Sequence, residues 1–174
     1  MTKKKIFAIS GSTRTNSSNL SLIKAIEKLT ADQLTFHIFN DLAALPHFNP
    51  DLNSDEIDIV KNFRKQISES DGVLICTPEY AHGVPGSLKN AIDWTVGTAE
   101  FSQKPTVLIT ASTDGEFGHQ ALLETLRVIE AKNIDELNLL IQFIRSKVNI
   151  SNEIIDEQLK TDLNKLMFNF IKIL

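Results

Sequence analysis

Residues 8–26 read AISGSTRTNSSNLSLIKAI. An apolar run that begins at Ile6 stops at Gly11, and polar side chains then crowd positions 12–19. Apolar residues return at helical spacing, with Leu20, Ile23, Ile26 and Leu29 expected on one face. The stretch is a strand, a polar turn and a helix in direct succession, the opening unit of an α/β fold. Capping the helix needs one hydroxyl or amide side chain. The turn supplies seven, together with Arg14. A helix N-terminus offers free N–H groups and a favourable dipole to an anion, and a guanidinium suits the paired oxygens of a phosphate. The turn lacks the Gly-Lys-Ser/Thr of a P-loop and the glycines of a dinucleotide fingerprint. Hydroxyls in their place suit a terminal phosphate monoester enclosed on several sides.

The rest of the chain repeats this alternation. Apolar runs at 5–10, 34–39, 72–77, 104–111 and 137–143 read as strands, the third and fourth without alternation, as expected of parallel strands buried on both faces. Helical periods occupy 19–30, 55–69 (with Ser54 as cap), 85–94 (opened by Pro85), 118–132 and 154–173. Residues 42–53, with Pro46 and Pro50, read as a loop. Five strands alternating with five helices predict a doubly wound α/β sandwich of strand order 2-1-3-4-5 with helices on both faces. With no linker or repeat, one domain over 1–174 is expected. Ligands in such sheets sit beyond the carboxyl ends of the strands. The unusual sequence lies there, at 11–19, 77–86 and 111–119.

Composition narrows the classes. A net charge of −4 over 174 residues argues against a broad nucleic-acid face. No apolar run reaches the length of a membrane span or of a secretory signal. A single cysteine forms neither an internal disulfide nor a cysteine metal site, which makes a reducing cytoplasm the expected setting. His37 and His47 have no nearby Cys or His, so no metal is expected.

The second loop, TPEYAHGVPGSLKNAIDW at 77–94, is stiff at its prolines and free at its glycines. It can aim main-chain N–H groups at the edge of a flat heterocycle. Tyr80 offers a ring face or a hydroxyl, and Glu79 an acceptor or a solvated charge. His82 reads as a structural or solvent-facing histidine more readily than as a catalytic one. Trp94 and Ile92 read as core or subunit interface. The third loop carries Ser112, Thr113 and an Asp114-Gly115 turn, with His119 near a helix N-terminus where the dipole disfavours its cation. Cys76 reads as buried and inert.

With these loops the chain resembles the NAD(P)H-dependent FMN reductases of the flavodoxin-like superfamily, the group of quinone, azo and chromate reductases. GSTRTNSSN is similar to that family's Gly-Ser-x-Arg phosphate loop, and PEYAHGVPGSLKNAIDW to its second signature. The resemblance implies that Ser12, Arg14, Ser17, Ser18 and Asn19 hold the FMN phosphate. It implies that Pro78, Glu79, Tyr80 and the neighbouring Ala81, His82 and Gly83 flank the isoalloxazine, with Ser112 closing the third side. NADPH or NADH is then the reductant, a small molecule the electron acceptor, and a homodimer or homotetramer the assembly, to which Trp94, Val96 and Phe101 could contribute. No side-chain acid or base is required. Two positions depart from the family pattern: Ala81 stands where asparagine is common, and Gly118-His119 where a glycine pair is. The competing expectation is an FMN-binding electron carrier or redox-responsive binding protein. Such carriers are strongly acidic and sandwich the flavin between aromatic rings, whereas this chain has one Tyr and one Trp. A serine hydrolase is a weaker third reading, because neither Ser12 nor Ser112 lies in G-x-S-x-G.

Overall fold

Side chains along a strand point alternately to its two faces, so a strand buried on both feeds two separate cores. The computed structural model, which describes residues 2–149 and 151–174, has this arrangement. Strands β1 (Lys4–Ser10), β2 (Leu34–Phe39), β3 (Gly72–Thr77), β4 (Thr106–Ala111) and β5 (Asn138–Ile141) form one sheet. Every pairing is parallel and the order is β2-β1-β3-β4-β5, as the sequence predicts. β2 and β3 match their predicted spans to the residue.

The helices are α1 (Ser18–Leu29), α2 (Asp58–Glu69), α3 (Gly86–Val96), α4 (Glu116–Val128) and α5 (Glu157–Ile173). Phe7, Ile9, Val73, Ile75 and Leu108 face α2, α3 and α4, where they meet Phe63, Leu88, Trp94 and Leu122. The alternate residues Ile6, Ala8, Leu74, Cys76 and Ile109 face α1 and α5, against Ile23, Leu163 and Phe170. Each fully buried aliphatic or phenyl side chain contributes about 1.5–3 kcal/mol, and all six residues of β3 and of β4 are buried. Gly72 lets α5 close onto the sheet: a Cβ there would lie 2.6 Å from Phe170 Cζ.

Several boundaries differ from the sequence reading. Ser54 caps nothing; Ser54–Glu56 is a separate 3₁₀ turn capped by Asn53, and α2 starts at Asp58. Ser54 Oγ accepts from Arg64 instead, which also bonds Asp55 and Glu100. β4 starts after Pro105, whose missing N–H cannot extend the ladder. β5 stops at Ile141, and α5 begins at Glu157 behind an Asp156 cap. On α1, Leu22 takes the buried position that the periodicity gave to Leu29, which is 37% exposed. Trp94 and Phe101 fill the core, while Val96 is exposed.

The order of strands positions the site. The chain leaves β1 toward β2 on one side and returns to β3 on the other, so the connections diverge and leave a crevice past the carboxyl ends of β1 and β3.

Candidate active site

The first wall of the crevice is the loop after β1. Gly11 donates its N–H to Cys76 O at 2.8 Å, which holds the chain against the end of β3. A Cβ at Gly11 would collide with Thr77 Oγ1 and lie 2.6 Å from Thr77 Cβ, so the approach requires glycine. Ser12 accepts the Arg14 N–H through its Oγ, and Ser17 caps α1 by accepting from the Asn19 N–H at 3.2 Å. The first turn of α1 contains no acid. The Asn19 side chain turns inward instead of toward a ligand. Its Nδ2 donates to Ala111 O at 3.1 Å, and its Oδ1 accepts from Cys76 Sγ at 3.2 Å. It ties the start of α1 to β3 and β4. Burial pushes the Cys76 thiol up, which agrees with an inert cysteine.

The loop after β3 forms the second wall. Tyr80 and Gly83 exchange both backbone hydrogen bonds, at 3.1 and 3.0 Å, across Ala81 (φ 49°) and His82 (φ 57°). Two central residues at positive φ define a type I′ turn, whose preferred residues are Asn and Gly. Alanine and histidine there cost roughly 1–2 kcal/mol each. Two contacts outside the turn oppose that cost. Glu79 Oε2 accepts the Gly118 N–H at 2.6 Å, and the His82 ring meets the Phe117 ring edge-on with centroids 4.6 Å apart. A Cβ at Gly118 would sit 3.1 Å from both Glu79 Cγ and Gly83 O, so this glycine admits the clamp. Behind the loop, Asn90 and Trp94 both donate to Pro46 O at 2.9 Å and hold the segment between β2 and α2.

The third wall joins the loops after β4 and β5. Ile144 and Phe143 donate their N–H groups to Ser112 O and Thr113 O. Phe143 sits at φ 55°, an outlier for a bulky side chain, and turns the chain at the end of β5. His119 lies in the core, 4% exposed, below this wall. Asn138 uses its Nδ2 on Ile134 O and Asp135 O, so its Oδ1 accepts from His119 Nε2–H and Nδ1 accepts from the Thr110 hydroxyl. Burial, opposed by the Asn138 bond, holds the imidazole below its ordinary pKa and neutral.

These walls enclose an open cleft of about 510 Å³. Of the sequence-predicted residues, Ser12, Arg14, Ser17, Ser18, Asn19, Pro78, Glu79, Tyr80 and Ser112 line it. Ala81, His82 and Gly83 do not; they form the turn beside it. Phe143, Ile144, Arg145 and Ser146 line it without having been foreseen, because a left-handed phenylalanine ending β5 has no propensity signal. The cleft fits FMN. A helix N-terminus with hydroxyls and Arg14 suits one phosphate, Tyr80 is half exposed beside a stiff loop, and the volume falls within the roughly 300–1,000 Å³ range of cofactor sites. Among the described residues no cluster of His, Cys, Asp or Glu could hold a metal ion, and no helix is long and apolar enough to cross a membrane.

The sheet order and the phosphate-suited turn at its switch point define a flavodoxin-like mononucleotide-binding protein. Residues 4–144 match the model of the NADPH-dependent FMN reductases, and the chain belongs to that family. It is 31% identical over 170 residues to a 2-hydroxy-1,4-benzoquinone reductase of Burkholderia, covering 94% of this chain and 92% of that one. A quinone reductase of Escherichia coli is 30% identical over 164 residues, covering 89% and 87%. The structure is similar to the flavoenzyme NAD(P)H:(acceptor) oxidoreductase of Paracoccus denitrificans, with a TM-score of 0.80 and 27% identity over 97% of this chain and 96% of that one. The chain is thus an oxidoreductase of a family that uses NAD(P)H as reductant and FMN as flavin.

Proposed function

We propose that the cleft holds FMN with its phosphate on the loop after β1 and its ring against the loop after β3. The observation that carries this reading is the first turn of α1, where free N–H groups, hydroxyls and Arg14 converge with no acid among them. Ser12, Ser17 and Ser18 supply donors to the phosphate. Arg14 supplies the guanidinium, and Asn19 orients the helix from within. Pro78, Glu79 and Tyr80 flank the ring, and the Ala81–His82–Gly83 turn fixes the backbone that faces its edge. Ser112 and Thr113 close the third side. When bound, FMN accepts hydride from NAD(P)H and passes two electrons to the acceptor. The protein's part is to orient the reactants and to place donors where negative charge develops. No side chain acts as acid or base.

The acceptor is a small molecule; a quinone, free flavin, azo compound or metal oxyanion each fits an open cleft. The whole chain forms one FMN-binding domain, because α5 lies beyond the family match yet packs into the same core as α1. A homodimer or homotetramer in the cytoplasm completes the reading, supported by the exposed Val96, Phe117 and Val128 and the lone buried thiol. Anaerobic addition of NADPH or NADH to the FMN-loaded protein is the test. Bleaching of the flavin bands, reversed by a quinone, is expected. Flavin that ignores both nucleotides would leave an electron carrier or redox-responsive binding protein instead.

A further inference from the structure

The four arginines divide into two pairs. Arg64 and Arg127 each bond two carboxylates. Arg14 and Arg145 are exposed, form no ion pair among the described residues, and both line the FMN cleft. In a chain with 22 acids against 18 Lys and Arg, leaving the two cleft arginines unpaired marks the region as a receptor for anions.

Arg145 also lines a second cleft of about 640 Å³, which shares Ser17 and Ser18 with the first. Its other walls include Thr15, Ser21, Lys24 and Asn152, and among the described residues no carboxylate lines it. Lys24 likewise forms no ion pair among the described residues, and lies six residues past the start of α1, or about 9 Å along the axis. Arg145 is held by its backbone. Phe143 turns the chain, Ile144 is buried, and Lys147 N–H bonds Ile144 O, which leaves the guanidinium at the boundary of the two clefts.

We propose that this second cleft binds a second phosphate monoester, the 2′-phosphate of NADPH, with Lys24 and Arg145 as its ligands. The proposal rests on the reading of the first cleft as the FMN site, since FMN then fills the phosphate position at the start of α1 and leaves the second cleft to another phosphate monoester, which NADPH carries and NADH lacks. It makes the chain selective for NADPH over NADH, a choice that hydride transfer itself does not require.

Calorimetry on the FMN-loaded protein with adenosine 2′,5′-bisphosphate and with adenosine 5′-monophosphate tests it, beside KM values for both nucleotides. The bisphosphate should bind about tenfold more tightly, the scale of one charge-assisted contact. Lys24→Gln and Arg145→Gln should each collapse that preference and the KM ratio of NADH to NADPH. Equal binding of the two adenosines to the wild type overturns the proposal. So does Lys24→Gln raising both KM values alike, which would assign the cleft to the pyrophosphate, or weakening FMN, which would assign it to the flavin phosphate. Flavin absorbance reports FMN binding separately. If the first cleft is not an FMN site, the bisphosphate preference of the unloaded protein still reads the second.

Discussion

The loops after β1 and β3 face each other across one cleft and are built on opposite principles. The first is made of side chains: hydroxyls that bond the backbone, a serine that caps α1 and an arginine left free, with no residue from 12 to 19 at positive φ. The second is made of backbone: a two-residue turn in the left-handed region, held by the Glu79–Gly118 bond and the His82–Phe117 contact. A compact anion is recognised by donors and charge, which side chains supply. A flat ring edge is recognised by fixed peptide groups, and fixing them costs conformational strain that neighbouring contacts must offset.

The comparison breaks most completely at the point where the two loops touch. Gly11→Ala forces a Cβ into Thr77, which is itself buried, and should cost about 3 kcal/mol while disturbing both walls. A urea titration would show it as a lower midpoint with unchanged slope. Glu79→Ala acts on the second loop alone. It leaves the Gly118 N–H without its acceptor and should cost about 1–2 kcal/mol. Thermal melts would register that loss, and FMN titration should show weaker ring binding with no loss of preference for a phosphorylated flavin.

His119 gives a pH-dependent handle on the third wall. Its folded pKa lies below the unfolded value near 6.5, so the unfolded chain binds the proton first. Stability carried by the neutral imidazole is complete above about pH 6.5 and falls as pH drops through that value toward the folded pKa. Melts of the wild type should lose more between pH 7.5 and about 5.5 than melts of His119→Gln, whose buried amide does not titrate. Parallel curves would contradict the buried neutral assignment. The smallest effect sharpens the contrast between the two loops. Ala81→Asn places a residue tolerant of left-handed backbone in the strained turn and should stabilise by about 0.5–1 kcal/mol. Chemical denaturation of the variant would resolve the gain, and destabilisation would mean that the turn is not strained.

What was legible in the sequence follows the same division. The span 72–77 could be read because a doubly buried strand needs an unbroken apolar run, and 34–39 because β-branched and aromatic residues mark a strand even at the half-exposed edge of the sheet. The loop after β1 could be read because its chemistry is written in residue types. The resemblance places Asn19 with the phosphate residues, and partners at Cys76 and Ala111, distant in the chain, turn its side-chain amide inward. The turn at Ala81 and His82 and the left-handed Phe143 were illegible, because none of these residues prefers the backbone it adopts. Arg145 was missed with them, since its place in the cleft follows from the turn at Phe143. His119, which stands where the family pattern has a glycine, lies beneath the wall in contact with Thr110 and Asn138.

The division of labour between the loops is tested most directly by the dissociation constants of FMN and riboflavin for the wild type and for Arg14→Ala. The two flavins share a ring and differ by the phosphate. The wild type should bind FMN about 100-fold more tightly than riboflavin, and Arg14→Ala should weaken FMN about 10- to 100-fold while riboflavin binding holds. Equal affinity of the wild type for both flavins would contradict the account, because the loop after β1 would then hold no phosphate.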